Sequence, residues 1–169
     1  MENISFNLGV SVAQYMLQSG MQALDKEAFE RGLNQVLQAS REAKEAGERF
    51  LADNAKRSGV CTTPSGLQYE VLESSLGRKP KASDTVRVHY EGTLIDGTVF
   101  DSSYKRGEPI SFGLQQVIKG WTEGLQLMSV GSKYKLFIPY QLGYGATGSG
   151  GVIPPYAALI FTVELLGIE

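Results

Sequence analysis

The strongest constraint on the fold of this chain is a change of composition near residue 60. All six prolines, seven of the eight tyrosines, the only tryptophan and fifteen of the twenty glycines come after that point. The residues before it are rich in Ala, Gln, Glu and Leu, which favour helix, whereas proline breaks helices and aromatic residues favour strands. The sequence therefore predicts a helical region over residues 1–60 and a second, strand-rich domain over residues 61–169.

The N-terminal region carries apolar residues at three- and four-residue spacing, which is typical of amphipathic helices. The first stripe covers residues 6–17 and stops near Gly20. The second follows Asp25, a good N-cap residue, and continues to a C-terminal stop at Gly59. The pattern leaves open whether this second stretch is one helix or two helices that break near Ser40.

These helical stripes are too narrow to be buried by about fifty residues of helix alone. They favour a dimerisation arm, so that a homodimer through residues 1–57 is expected. The alternative is a helical cap that folds back on its own domain.

The second region reads as an antiparallel sheet with one short helix. Four stretches predict strands: "GLQYEVLES", "DTVRVHYEGTLIDGTVFDSS", "KYKLFIPY" and "AALIFTVELLGI". The second of these holds two strands around Asp96-Gly97, a strong hairpin signal, and its alternation puts Val86, Val88 and Tyr90 on one face. The stretch "VIKGWTEGLQLM" predicts the helix. The fold class is therefore α+β, with an antiparallel sheet wrapped around a short helix and an all-helical arm before it.

A glycine-rich loop offers a possible nucleotide site, which the sequence does not support. Gly143, Gly145 and Gly148 match G-x-G-x-x-G, but a dinucleotide site needs a helix to open directly after the motif. The Pro154-Pro155 pair that follows cannot begin such a helix. Neither His nor Cys occurs at metal-ligand spacing, and Cys61 is the single cysteine, so we expect neither a cofactor nor a metal.

The net charge of −2 argues against nucleic acid as a partner, and no apolar run approaches the ~20 residues of a membrane span. The N-terminus has no basic segment followed by an apolar stretch, so we expect a cytoplasmic protein. A periplasmic or outer-membrane-associated location is the alternative if a leader has been removed. The recurring aromatic residues of the second region could line a small apolar pocket, although some of them could be core alone.

Three long segments then carry a resemblance: "VRVHYEGTLIDGTVFDSSYKRGEPISF", "VIKGWTEGLQLMSVGSKYKLFIP" and "YGATGSGGVIPPYAALIFTVELL". They resemble the FKBP-type peptidyl-prolyl cis-trans isomerases over about residues 64–169. The pieces "FNLGVSVAQYML", "EAFERGLNQVL" and "GERFLADNAKRSGV" are similar to the helical arm of the bacterial macrophage-infectivity-potentiator-like subgroup. The resemblance implies a prolyl isomerase that acts on proline-containing peptides and on unfolded or folding proteins, with macrolides as possible inhibitors.

The resemblance also implies a set of site residues. The catalytic group is expected to be Tyr90, Phe100, Asp101 and Tyr144. The substrate-binding group is expected to be Arg106, Ile110, Phe112, Gln116, Val117, Ile118, Trp121, Ile153 and Phe161. Within these groups the resemblance implies Trp121 at the floor of the pocket and Asp101 at its rim, with Arg106 as the partner of Asp101. The Ile118 backbone N–H and the Tyr144 hydroxyl are expected to donate to the peptide.

Three positions depart from the best-known form of the family: Ile110 replaces a common aromatic, Gln116 replaces an acidic residue, and Ser149 replaces a larger ring. They affect the expected peptide preference and macrolide affinity. Two other functions remain open, a binding module for proline-containing segments and a chaperone that holds clients between paired arms, each with incidental turnover.

Overall fold

Two helices form the N-terminal region of the computed structural model, which describes all 169 residues. Helix α1 spans Glu2–Gln18 and helix α2 spans Lys26–Asn54 without a break, which answers the question that the sequence left open. The Oδ1 atom of Asp25 accepts a hydrogen bond of 3.0 Å from the backbone N–H of Ala28, so the predicted N-cap is confirmed.

Helix α2 ends five residues before the predicted stop at Gly59. After Asn54 the backbone tightens, because the N–H groups of Lys56 and Arg57 donate to carbonyls only three residues back. Asn54 is itself buried and bonds to Gln68, which brings the chain to the sheet before the helical pattern of the sequence is exhausted. Gly59 has a φ of 88° and lies in the turn before the first strand.

The chain divides into two compact units, Met1–Gln38 and Ala39–Glu169. In the first unit, α1 has no buried residue. In the second unit, the last sixteen residues of α2, 39–54, belong with the sheet. The boundary between the two compact units therefore lies within α2, between residues 38 and 39. The predicted division into a helical arm of residues 1–60 and an isomerase domain of residues 61–169 stays a prediction.

The second unit contains seven strands in one antiparallel sheet. The strands are β1 Val60–Thr62, β2 Gln68–Glu73, β3 Thr85–Leu94, β4 Val99–Ser102, β5 Ile110–Gly113, β6 Lys133–Ile138 and β7 Leu159–Ile168. Their order is β1-β2-β6-β7-β3-β4, and β5 pairs with the first half of β3. The hairpin around Asp96-Gly97 is confirmed, with Gly97 at a φ of 88°. The sequence reading missed β1 and β5, because both are too short to show a period.

One face of the sheet packs on helix α4, Lys119–Leu127, and forms the core. Alternate residues of β3 and β7 point inward, as the alternation in the sequence predicted for Val86, Val88 and Tyr90. Gly120 and Gly124 let α4 lie close to the sheet, since a Cβ at Gly124 would lie 2.7 Å from Leu136 Cδ1. The α+β fold, with a sheet wrapped around a short helix, is confirmed.

A shorter helix, α3 Ser103–Arg106, follows β4 directly. The side chain of Ser102 caps it by accepting a hydrogen bond of 3.3 Å from the backbone N–H of Lys105. Gly107 ends it at a φ of 80°, in the left-handed region that suits glycine. This single turn places Arg106 close to the end of β4.

A buried polar cluster joins the end of α2 to the sheet. The Asn54 Nδ2 donates to Gln68 Oε1 at 2.8 Å, and Gln68 Nε2 donates to the carbonyl of Leu51 at 2.8 Å. Arg57 donates to Asn54 Oδ1 at 2.8 Å, so both ends of the buried amide are satisfied.

No helix of the protein is long and apolar enough to cross a membrane.

Candidate functional site

A cavity of about 460 Å³ opens between helix α4 and the concave side of the sheet. Its lining is mostly aromatic and aliphatic, with a few polar groups. The lining residues are Tyr90, Phe100, Asp101, Phe112, Gln116, Val117, Ile118, Trp121, Tyr144, Ser149, Gly150, Val152, Ile153 and Phe161. Eleven of the thirteen expected site residues are in this set, although they are spread along the sequence from Tyr90 to Phe161.

Two of the expected substrate-binding residues do not line the cavity. Ile110 is half-buried and packs against the core at the start of β5. Arg106 is not among the lining residues but lies at the rim, where it pairs with Asp101. Its expected partnership with Asp101 is therefore present, but direct contact with a ligand in the cavity is not indicated for either residue.

The single tryptophan is the centre of an aromatic cluster at the floor of the cavity. Trp121 is 4% exposed and meets Tyr90, Phe112 and Phe161 edge to face, with ring centroids 5.0, 5.4 and 5.3 Å apart. Phe100 meets Phe161 in the same way at 5.4 Å. Edge-to-face pairs stabilise such clusters beyond their burial alone, so the rings form a fixed surface and not a loose set of side chains.

Tyr90, Asp101 and Arg106 form a hydrogen-bonded triad at the rim. The Tyr90 hydroxyl donates to Asp101 Oδ2, and Arg106 donates both to Asp101 Oδ1 and, over 3.1 Å, to the Tyr90 oxygen. The guanidinium also lies 5.7 Å from the centre of the Tyr90 ring. Strands β3 and β4 bring Tyr90 and Asp101 together, while α3 supplies Arg106.

The triad shifts two pKa values in opposite directions. Burial, together with the hydrogen bond to Asp101, raises the pKa of Tyr90 to about 12. Burial alone would raise the pKa of Asp101, but hydrogen bonds from Tyr90 and Arg106 outweigh it and leave that pKa lowered. Asp101 is therefore a carboxylate and Tyr90 a neutral phenol throughout the physiological range.

Three hydrogen-bond donors at the cavity have no partner within the chain. The backbone N–H of Ile118, at the N-cap of α4, donates to no other residue. The hydroxyl of Tyr144, which is 38% exposed, likewise has none. The Nε1 atom of Trp121 is buried and unpaired. Unpaired donors around an apolar space are what a site for a peptide carbonyl requires.

Residues 143–158 form a flap that supplies one side of the cavity. The two arms of the flap are joined near its tip by hydrogen bonds of 2.9 and 3.0 Å between Ser149 and Ile153. Nearer the base, the Tyr156 N–H donates to the Gly145 carbonyl at 2.9 Å. A Cβ at Gly148 would lie 2.2 Å from the Ile153 carbonyl oxygen, so the close approach of the two arms requires glycine there. The G-x-G-x-x-G motif is thus part of this flap.

Sequence reasoning missed one residue that shapes the cavity wall. Gly92 on β3 lies under Phe100 and Phe161, and a Cβ there would lie 2.6 Å from the Phe100 ring and 2.7 Å from the Phe161 ring. Its φ is not in the left-handed region, so it is close packing and not backbone conformation that requires glycine. A glycine inside an otherwise regular strand was the available signal. Gly150 and Val152 at the flap tip also line the cavity and were not expected.

Comparison with known proteins assigns the family. A model described as FKBP-type peptidyl-prolyl cis-trans isomerase matches residues 77–166, which is more than half of the chain. The chain belongs to the FKBP-type peptidyl-prolyl cis-trans isomerases. A second model, described as the domain amino terminal to such isomerases, matches residues 38–71. The predicted membership in this family is confirmed, and with it the predicted enzyme class, an isomerase.

Several bacterial relatives are similar to this FKBP. FkpA of Aeromonas hydrophila is 60% identical over 128 residues, which cover 76% of this chain and 47% of FkpA. The 22 kDa isomerase of Escherichia coli is 43% identical over 192 aligned positions, which cover 97% of this chain and 93% of that protein. The crystal structure of FkpA from Escherichia coli matches with a TM-score of 0.77 at 36% identity and covers 99% of this chain and 95% of that one.

The relatives differ in length and in named location. This chain spans about half of FkpA from Aeromonas hydrophila and of the outer membrane protein MIP of Legionella longbeachae, which is 49% identical over 128 residues and is covered to 55%. The relative from Legionella longbeachae is named an outer membrane protein, and none of these names supports the expectation of a cytoplasmic location.

Proposed function

We propose that this FKBP accelerates cis–trans rotation of X-Pro bonds in peptides and in unfolded or folding proteins, and that the reaction takes place in the aromatic cavity. The observation that carries the proposal is the combination of an edge-to-face aromatic floor around Trp121 with unpaired donors at Ile118 and Tyr144. An apolar floor of this size suits a proline ring, and the donors suit the carbonyl groups on either side of it.

The reaction requires only that rotation become easier. The barrier to rotation is ~18–20 kcal/mol, because resonance gives the C–N bond partial double-bond character. The two X-Pro isomers differ by only ~0.5–1 kcal/mol, so the problem is kinetic. Lowering the barrier by about 5 kcal/mol gives a few thousand-fold acceleration. Binding energy contributes to that decrease only where it favours the twisted amide over both planar forms.

The cavity offers two ways of favouring the twisted amide. Twisting removes the charge separation of the amide, so an apolar surround that solvates charge poorly penalises the planar form. The carboxylate of Asp101 lines the cavity and is ionised. It repels the partial negative charge of a nearby planar carbonyl oxygen, and twisting relieves that repulsion.

Each donor then has a distinct role. The Ile118 N–H holds a peptide carbonyl at the edge of the floor, where the start of α4 fixes its direction. The Tyr144 hydroxyl acts from the flap, which lines the same cavity as Trp121. Tyr90 positions Asp101 through its hydroxyl and supports the floor through its ring.

The test is a protease-coupled assay of cis-to-trans isomerisation on a panel of X-Pro tetrapeptides, with wild type, Asp101→Leu and Tyr144→Phe side by side. The matched control is Tyr134→Phe, which removes a hydroxyl from β6 away from the cavity. We expect fast turnover in wild type and control, and a kcat/KM at least about tenfold lower in both site variants. A folded wild type that accelerates no peptide would leave a proline-binding module.

We also propose that the protein is a homodimer through residues 1–57. The support is the set of large apolar side chains that the first unit leaves exposed: Ile4, Phe6, Leu8, Val10, Tyr15, Leu17, Met21, Leu24, Phe29, Leu33, Val36 and Leu37. A monomer rarely leaves so many large apolar side chains exposed within one short region. Light scattering after size-exclusion chromatography at tens of micromolar tests this, and a monomer would contradict it and favour client holding by the same surface.

We propose a location outside the cytoplasm. The support is the similarity to the protein named outer membrane protein MIP. Fractionation of the native cells with an antibody to the chain tests the proposal, and recovery in the cytoplasmic fraction would contradict it.

A further inference from the structure

A second cavity, of about 180 Å³, lies between helix α2 and the base of the flap. Its lining combines one face of α2 with the residues at which the flap begins and ends. The lining residues are Lys44, Gly47, Glu48, Leu51, Pro139, Tyr140, Gln141, Tyr156 and Ala158. All of them belong to the compact unit Ala39–Glu169. The flap is therefore in contact with the helical segment 39–54 as well as with the active site.

Two tyrosines link the two ends of the flap to each other. Tyr140 begins the short 3-10 helix that leads into the flap, and Tyr156 lies where the flap returns toward β7. Their rings meet edge to face with centroids 5.1 Å apart. The flap between them carries the cavity residues Tyr144 and Ile153. A change in this ring contact thus changes where both arms of the flap start.

The backbone of Tyr156 supports a special role for its ring. Tyr156 has a φ of 60°, and it is the one residue other than glycine with a positive φ. A tyrosine adopts this conformation only against a steric preference, and such strain persists where the surroundings hold it in place. Glycine would adopt this backbone conformation without strain. The presence of a tyrosine here is therefore explained by its side chain and not by its backbone.

Helix α2 contacts both the ring pair and the end of the flap. The Nζ atom of Lys44 lies 5.8 Å from the centre of the Tyr140 ring and 5.8 Å from that of Tyr156. One turn further along, Gly47 is buried, and a Cβ there would lie 3.1 Å from Ala158 Cβ. The cation is attracted to both ring faces, and the glycine allows α2 to lie against the flap end.

From this geometry we propose that Lys44 and Tyr156 are positioning residues that hold the flap over the prolyl site, and that segment 39–54 of α2 thereby sets how tightly the site binds its peptide. The inference rests on the proposed function of the cavity. When the flap is held in its binding position for only a fraction of the time, the apparent dissociation constant rises by the inverse of that fraction. Loss of the contact should therefore raise KM and leave kcat nearly unchanged.

The first experiment compares Tyr156→Gly with Tyr156→Phe in the full chain. Tyr156→Gly keeps the backbone conformation and removes the ring, and we expect KM for an X-Pro tetrapeptide to rise about threefold or more with kcat within about twofold of wild type. Tyr156→Phe keeps the ring contact with Tyr140 and Lys44, so its KM should equal that of wild type. Equal KM values in Tyr156→Gly and wild type would overturn the proposal.

A readout independent of turnover comes from the single tryptophan. Trp121 lies on the same cavity as flap residue Ile153, so quenching of its fluorescence by acrylamide reports how well the flap covers the floor. We expect a larger quenching constant in Tyr156→Gly than in wild type, and a wild-type value in Tyr156→Phe. An unchanged quenching constant in Tyr156→Gly would contradict the proposal whatever the turnover.

The role of α2 is tested by Lys44→Ala and Lys44→Arg. Because Lys44 is proposed to act through the rings, Lys44→Ala should raise KM in the wild-type background. Its effect should be smaller in Tyr156→Gly, where only the Tyr140 ring remains for Lys44 to act on. Lys44→Arg keeps a cation over the rings and should preserve KM. Additive effects of Lys44→Ala and Tyr156→Gly would overturn the coupling. Failure of the proposed function looks different, because wild type itself would then show no turnover.

Discussion

The replacement of Gly92 by alanine is the sharpest test of how the cavity wall is built. The added Cβ would lie 2.6 Å from Phe100 Cζ and 2.7 Å from Phe161 Cε1, whereas ordinary contact begins at 3.4 Å. To reach ordinary contact, the Phe100 ring must therefore move by about 0.8 Å and the Phe161 ring by about 0.7 Å. Both rings line the cavity, so movement away from Gly92 changes its shape.

The aromatic cluster limits how the rings can respond. Phe161 is 4% exposed and lies edge to face with both Phe100 and Trp121, at 5.4 and 5.3 Å. Overpacking of this kind typically costs about 1–3 kcal/mol of stability. In a chain of this size each kcal/mol lowers Tm by about 2–4 °C, so we expect Tm to fall by about 2–12 °C.

The assay pairs thermal unfolding with the KM and kcat for an X-Pro tetrapeptide. A wall displaced by most of an ångström should cost about 1–2 kcal/mol of peptide binding, which raises KM about 5- to 30-fold. The control is Gly167→Ala on β7, where a Cβ has no neighbour within 4 Å. If Gly92→Ala matched Gly167→Ala in both Tm and KM, the proposed role of Gly92 in shaping the wall would be wrong.

Two further predictions concern the triad and the polar cluster at the end of α2. Because the pKa of Asp101 is lowered and that of Tyr90 is raised to about 12, kcat/KM measured by exchange NMR should stay constant between about pH 5 and pH 8. A step in activity near neutral pH would refute the assignment of Asp101 as a carboxylate and Tyr90 as a neutral phenol. The stability that Asp101 contributes is present above its ordinary pKa of 3.8 and is lost as the pH falls through its lowered folded value. Asn54→Ala removes the donor to the Oε1 atom of the buried Gln68 and should cost about 1–3 kcal/mol in urea unfolding, while KM at 25 °C stays the same. A change of KM without loss of stability would count against a purely structural role.

The secondary structure was predictable wherever a local signal was strong. The N-cap at Asp25, the hairpin at Asp96-Gly97 and the inward face of β3 all follow from residue type or period, and all were confirmed. The end of α2 was not predictable, since a buried bond between Asn54 and Gln68 stops the helix before its own pattern does. Such a bond joins residues whose separation in sequence carries no period.

The site was predictable as a list of residues and not as a geometry. The resemblance to long family motifs identified most of the residues that surround the cavity, because those motifs contain the residues of the family's site. They could not show that Ile110 packs against the core outside the cavity lining, or that Arg106 pairs with Asp101 without lining the cavity itself. Those placements depend on strand register and on the single turn of α3, which are set by packing across the sheet.

The sequence by itself determined the composition boundary, the α+β class, the family and most of the cavity residues. Each of these follows either from the conformational propensity of neighbouring residues or from a motif that is contiguous in the sequence. Only the tertiary structure decided that Gly92 makes room for two phenylalanines, and that Lys44 lies over the tyrosines at the base of the flap. Those relations join segments far apart in the chain, and they exist only once the sheet has brought the segments within van der Waals distance.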